Sequence, residues 1–208
     1  SLQEARDSLT RAIEERAGVI ERVCRSLEED HRFRFGGIDF TLAPFPEKAR
    51  STGSAIENLG VSAFGSSGTL FAVAFMKRAI EEARFTRCGF SGIMLPVLED
   101  QVLADRSAED AYTLDSLLLY STVCGTGLDT IPLPGDVTVD QVSAILLDVA
   151  ALSLVADKPL TARLMPIPGG RAGEVTKFDF PYFANARILC IPGHGASSVF
   201  QKDAFVPF

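Results

Sequence analysis

The sequence predicts a single α/β domain over residues 1–208, with largely parallel strands alternating with helices. Apolar runs of strand length, at 92–98, 161–167 and 187–191, alternate with runs of helical period at 70–83, 108–122 and 138–155. Glycine- and serine-rich turns stand where the two kinds of run meet. A hydrophobic content of 47% in 208 residues is enough to close one packed core.

In order, residues 2–29 place Leu9, Ile13, Ile20, Val23 and Leu27 at three- and four-residue spacing, with Glu14, Glu15, Glu21 and Glu28 off that stripe. That is an amphipathic helix. A strand is expected over 33–42, ended by Pro44 and Pro46, and then a short helix over 54–59 that Gly60 closes. The turn Gly65-Ser66-Ser67-Gly68-Thr69 opens the apolar helix 70–83, and 92–98 is a buried strand. In the helix 108–122, Leu114, Leu117 and Leu118 mark the core face. A long rigid turn over 124–136, with glycines and prolines, leads into the helix 138–155. The nearly apolar run 142–156 is shorter than the ~20 residues a bilayer span needs and contains Asp148, so a buried helix is expected rather than a membrane one. Strands over 161–167 and 187–191 flank a looser segment at 175–183, and residues 193–198 are turn-like.

Charge and cysteine usage exclude several functions. The formal net charge is −7 and Lys and Arg are scattered, whereas a duplex-binding surface needs a basic patch to displace counterions, so no nucleic-acid partner is expected. Cys24, Cys88, Cys124 and Cys190 form no CxxC pair, and with His31 and His194 the only histidines no zinc-ligand spacing can be written. Reduced core thiols and the lack of a basic cap before an apolar block point to a cytoplasmic protein without a secretory signal or membrane span.

Four turn segments carry candidate chemistry, because ligands of α/β proteins gather where strands end and helices begin. The amides of Gly65, Ser66, Ser67, Gly68 and Thr69 precede a helix and can hold an anion; a plain turn with a Ser or Thr cap is the other reading. No P-loop lysine or GxGxxG is present. Glu99 and Asp100 are adjacent carboxylates suited to acid/base or metal chemistry, although Asp100 can equally cap a following helix. In the stretch from Cys124, Gly125, Thr126 and Gly127 to Asp129 and Asp136, the cysteine is a possible nucleophile without a nearby histidine. The two aspartates there suit a hard cation, or Asp136 caps the next helix. Arg163 lies inside an apolar strand, where a guanidinium needs either a carboxylate such as Asp39 or Asp129 or a ligand anion. The four segments are expected to converge on one concave face.

Several ordered blocks carry a resemblance: Gly37-Ile38-Asp39-Phe40-Thr41-Leu42-Ala43-Pro44; Phe64-Gly65 with Gly68-Thr69-Leu70; Gly92 through Asp100; Val123 through Thr130 with Pro132 through Asp136; and Lys158-Pro159-Leu160 through Arg163 to Gly169. Together they resemble domain-of-unknown-function family 711, also called uncharacterised protein family 0210. The resemblance implies a pyruvate formate-lyase-like α/β barrel of two intertwined halves, with mostly parallel strands and helices outside. It further implies that this chain is the C-terminal half of a longer architecture. By the same resemblance Cys124 matches a radical-carrying loop cysteine, but no Arg-Val-Xaa-Gly-Tyr glycyl-radical signature is present. A half-barrel implies a homo-oligomer or a separate N-terminal half as partner, and the family association adds a small ACT-domain protein. Cofactor and metal stay open.

Three functions follow as expectations. One is an enzyme acting on a small anionic metabolite, with Arg163 and the amides of 65–69 and 125–127 binding the anion. In it Asp39, Glu99, Asp100, Cys124 and Asp129 would do the chemistry. The others are a non-catalytic ligand sensor using the same pocket and a structural half-barrel completing a larger assembly.

Overall fold

A computed structural model describes residues 1–195 of the chain. Helix α1, Leu2–Asp30, starts with a capping box in which the Ser1 hydroxyl accepts from the Glu4 amide and the Glu4 carboxylate accepts from the Ser1 amine. It buries Ile13 and Ala17 and packs on α3, leaving Ile20 and Val23 exposed. A 3-10 turn, Lys48–Arg50, leads to α2, Thr52–Asn58, then come α3, Thr69–Glu82, and α4, Gln101–Ala108. Helix α5, Leu114–Cys124, feeds through Gly125 into β1, Gly127–Pro134; α6, Val139–Val155, crosses over to β2, Thr161–Ile167.

Strands β1 and β2 pair in parallel, with Gly127 opposite Thr161, Ile131 opposite Leu164 and Pro134 opposite Ile167, and the register shifts between Leu128 and Ile131. Parallel neighbours require a crossover, which α6 supplies. Two extended segments continue the array through single parallel bridges: Ile93 with Gly125 and Pro96 with Asp129 on one side of β1, then Leu42 with Ile93 and Ile38 with Arg87 beyond it. Backbone bonds confirm the order, from Ile93 N to Cys124 O (2.7 Å), Val97 N to Asp129 O (3.1 Å) and Leu42 N to Gly92 O (2.9 Å). The sheet is open: among the described residues β2 pairs only with β1, and no closed barrel forms.

The core fills the space between this array and the helices, around Ile56, Ile80, Leu103, Leu128, Ile131 and Leu133. Phe64 sits edge-on to Tyr112 and Tyr120 with ring centroids 5.2 and 5.6 Å away, which ties the turn before α3 to α5.

The expected helices at 2–29, 70–83 and 138–155 and the strand at 161–167 are present within a residue or two of their expected ends. Others need correction. The strands over 33–42, 92–98 and 187–191 are extended segments held by isolated bridges, because proline, glycine and the Ser91 turn (φ 43°) interrupt their ladders. The helix expected over 108–122 starts later, as α5 at Leu114: residues 109–113 are not helical, Asp110 taking a left-handed φ of 57°, and α4, Gln101–Ala108, precedes them. The supposed rigid turn at 124–136 is mostly strand β1, buried from Gly127 to Leu133; Pro132 still accepts the Leu189 amide through its carbonyl (2.9 Å). Helix α6 was expected to be buried, yet only Ile145 and Val149 are, so most of its apolar surface lies open. Part of the turn expected at 193–198 falls outside the described residues. No described helix is long and apolar enough to cross a membrane.

Candidate functional site

The site is built on the register shift in β1. Asp129 and Thr130 occupy the irregular stretch between Leu128 and Ile131, and Thr130 takes a left-handed φ of 42°, costly for a β-branched residue. The Thr130 hydroxyl accepts the Leu98 amide (3.3 Å), which fastens the end of the neighbouring segment beside the bulge. Glu99 follows directly.

Arg163 reaches across from β2. Its Nε donates to Asp129 Oδ1, while Nη1 and Nη2 donate to the two Glu99 oxygens at 3.1 and 2.9 Å. Charge-assisted forked geometry of this kind is the strong form of a carboxylate–guanidinium contact. The guanidinium side chain is 46% exposed, whereas the Asp129 side chain is 4% exposed. Asp129 Oδ2 is buried with no hydrogen-bond partner. Burial pushes the Asp129 carboxyl above the ordinary carboxylate range; Arg163 opposes the shift and the Glu99 charge adds to it. The hydrogen bond to Asp129 in turn raises the guanidinium's affinity for its proton. With both acids ionised the trio carries one net negative charge, and with Asp129 protonated it is neutral.

The structure joins Asp129, Glu99 and Arg163 and gives the other sequence-derived candidates different surroundings. Asp100 is fully buried and caps α4 through the Val102 and Leu103 amides (2.9 and 3.0 Å); it also takes the Ser51 hydroxyl (2.6 Å) and the Gly53 amide (3.2 Å) at the start of α2. Burial raises its pKa despite those bonds. Its oxygens are committed to holding two helix N-termini together.

Asp39 is exposed, yet satisfied. It accepts from the Ser91 and Phe90 amides (2.8 and 3.1 Å) and from the Thr41 hydroxyl. Burial alone would raise its pKa, but those bonds outweigh it and hold the carboxyl low. Arg163 therefore pairs with Asp129 rather than Asp39.

In the 65–69 turn, the Gly65 amide donates to the Thr69 hydroxyl (3.0 Å), the Thr69 amide to Ser66 O (3.1 Å) and the Ser66 amide to Ala63 O (3.0 Å). These donors are used within the turn. Ser67 and Gly68 complete it, and Gly68 caps α3 with a left-handed φ of 103°.

Cys124 is a buried free thiol whose sulfur accepts the Thr126 and Gly127 amides, both at 3.4 Å. Gly125 ends α5 in the left-handed region, Thr126 donates its hydroxyl to Ile93 O (2.9 Å), and a Cβ on Gly127 would meet Thr161 O at 2.2 Å. The small residues here permit close strand approach. Asp136 is exposed, and Thr138 rather than Asp136 caps α6, in a box with Gln141. No cluster of three or more potential metal ligands occurs among the described residues.

Sequence reasoning missed Thr130 and Ser51. A β-branched residue in a left-handed bulge leaves no mark in the sequence, whereas Ser51, three residues before Ser54, does carry a capping pattern.

The sequence profile of a family described as "Uncharacterised ACR (DUF711)" matches residues 1–184. A UPF0210 protein of Pyrobaculum aerophilum is 39% identical over 172 residues, covering 81% of this chain and 38% of its own length. UPF0210 proteins of Methanopyrus kandleri and Oleidesulfovibrio alaskensis are 33% and 30% identical, over 91% and 88% of this chain and 42% and 41% of theirs. This chain thus spans about two fifths of the length of these curated relatives, which it covers to 38–42%.

Proposed function

Since the chain belongs to the DUF711 family, we propose a function from its own geometry: an acid/base site for a small anionic metabolite, in which Arg163 holds the anion and Asp129 moves a proton. The observation that carries this reading is the buried, unpartnered Asp129 Oδ2 beside a guanidinium that is half open to solvent. A guanidinium has five N–H donors, and here Asp129 and Glu99 engage three of them. The remaining donors suit a carboxylate or phosphate. An anion that draws the guanidinium away from Asp129 leaves a buried carboxylate without a counter-charge, and that carboxylate then takes up a proton. The protonated carboxyl becomes a donor, and its return to the ionised form makes it an acceptor. That cycle is general acid/base chemistry. A non-catalytic sensor would use the same coupling without turnover.

In this reading the parallel array is part of a larger pyruvate formate-lyase-like α/β barrel, this chain supplies one half of it, and the assembly works in the cytoplasm. The other half comes from a second copy or from further family sequence, with an ACT-domain protein as a regulatory partner. No radical step is assigned to Cys124.

A thermal-shift screen of small carboxylates and phosphates tests the proposal. At least one anion is expected to stabilise the protein, and Arg163→Met and Asp129→Asn are each expected to abolish the shift. The reading fails if no anion stabilises the protein, or if a stabilising anion does so equally in both variants.

A further inference from the structure

Resting on the acid/base reading above, which serves carboxylates and phosphates alike, we propose that Glu99 is a displaceable plug in the anion site and that the substrate is a small carboxylic acid. The N–H bonds of a guanidinium lie in a rigid planar fork with two parallel pairs, one along the Nε side and one at the end between Nη1 and Nη2. Asp129 takes Nε and so occupies the side pair from its buried position. Glu99 takes the end pair with both oxygens, at 3.1 and 2.9 Å. The donors left over point apart, and each grips an anion at one point only. A two-point grip, the strong form for a carboxylate, therefore requires one of the acids to leave. Asp129 is buried, whereas the Glu99 side chain is 27% exposed and meets the open end of Arg163. Glu99 is the one that yields.

Glu99 also restrains the guanidinium. Glu99 and Asp129 grip it from two sides, so Arg163 cannot follow an anion outward while Glu99 holds the fork. A ligand carboxylate that replaces Glu99 keeps both bonds of the fork and frees the guanidinium to move with it, which strips Asp129 of its counter-charge. Charge selects the class of ligand. A monocarboxylate takes the place of Glu99 at the fork with one negative charge for one. A phosphate dianion adds a further charge beside Asp129, whose Oδ2 already lies buried without a partner. The plug is also well tethered. Leu98, the residue before Glu99, is pinned on both sides, its amide by the Thr130 hydroxyl (3.3 Å) and its carbonyl by the Ala184 amide (2.7 Å). A displaced Glu99 thus stays at high effective concentration and returns when the ligand departs.

Acetate, which carries the headgroup of the Glu99 side chain, and inorganic phosphate are the probes. Each is titrated at fixed ionic strength into the native chain, Glu99→Gln and Glu99→Ala, and binding is read from the β1 and β2 backbone amides by NMR. Loss of the tethered competitor is expected to tighten acetate binding at least about tenfold, most of all in Glu99→Ala, where no neutral amide fills the fork. Phosphate should bind more weakly than acetate in all three proteins, and adding Arg163→Met to Glu99→Ala should abolish the gain. The plug is overturned if neither variant binds acetate more tightly than the native chain, since Glu99 then builds the site or merely props Arg163. In that case acetate binding with proton uptake that depends on Asp129 leaves the acid/base reading standing. Phosphate binding as tight as acetate binding in the variants overturns the carboxylic-acid class. If neither probe binds any of the three proteins, the plug and the acid/base reading fall together.

Discussion

Replacing Arg163 by methionine removes the counter-charge of Asp129 while keeping the stem that packs along β2. Asp129 is 3% exposed in the native chain, and the variant leaves neither of its oxygens bonded to a guanidinium. Breaking a buried ion pair by deleting one partner costs about 3–5 kcal/mol. Arg163 is 46% exposed and water screens its end of the pair, so a discounted loss of about 2–3 kcal/mol at neutral pH follows. For a domain of this size that is roughly 4–12 °C in Tm. The pH dependence is the sharper signature. The folded pKa of Asp129 already lies above its unfolded value, so the acid's contribution is full below the unfolded pKa and is lost as pH rises through the folded one. Without Arg163 the folded pKa rises further, because a lowering influence is gone. The deficit of the variant should therefore be smallest in acid, below the unfolded pKa, and grow as pH rises through the folded pKa of Asp129. Urea unfolding across that range measures it. A deficit independent of pH, or larger in acid, would refute the reasoning.

Three further outcomes follow. Asp100→Ala should destabilise the chain by about 2–4 kcal/mol, since one substitution strips a helix cap and leaves the Ser51 and Gly53 donors at the other helix start unanswered; thermal melts measure the loss. Gly65→Ala should cost at least about 2 kcal/mol by the same assay, because its φ is 102° and a Cβ would meet Ala111 O at 2.4 Å. Under native conditions Cys88 and Cys190 should react readily with a thiol reagent while Cys124 reacts only on unfolding, as read by mass spectrometry.

How much was legible in the sequence depended on how local each signal was. The helices α1 and α6 and strand β2 announce themselves by period, although the cap of α6 was expected at Asp136 and stands at Thr138. Strand β1 did not, because Gly127, Pro132 and Pro134 look like a turn; only the close approach of Thr161 and burial between two neighbours make it a strand. In the site, Arg163 in an apolar strand demanded an acid, and Asp129 was one of two named. Which acid it took, and that Glu99 would join, depended on the register shift at Thr130, which no local pattern encodes. The late start of the helix expected over 108–122 turned on the backbone at Asp110. The expectation that α6 would be buried came from its apolarity, which sequence alone cannot distinguish from an interface. The family resemblance stands, because it rests on many ordered blocks rather than on one.

Calorimetry of anion binding in two buffers of different ionisation enthalpy tests the central claim most directly, since it counts protons taken up on binding. Near the folded pKa of Asp129, binding of the stabilising anion should be accompanied by uptake of a sizeable fraction of one proton, and Asp129→Asn should abolish that uptake. Binding with no proton exchange, or with uptake that persists in Asp129→Asn, would contradict the account.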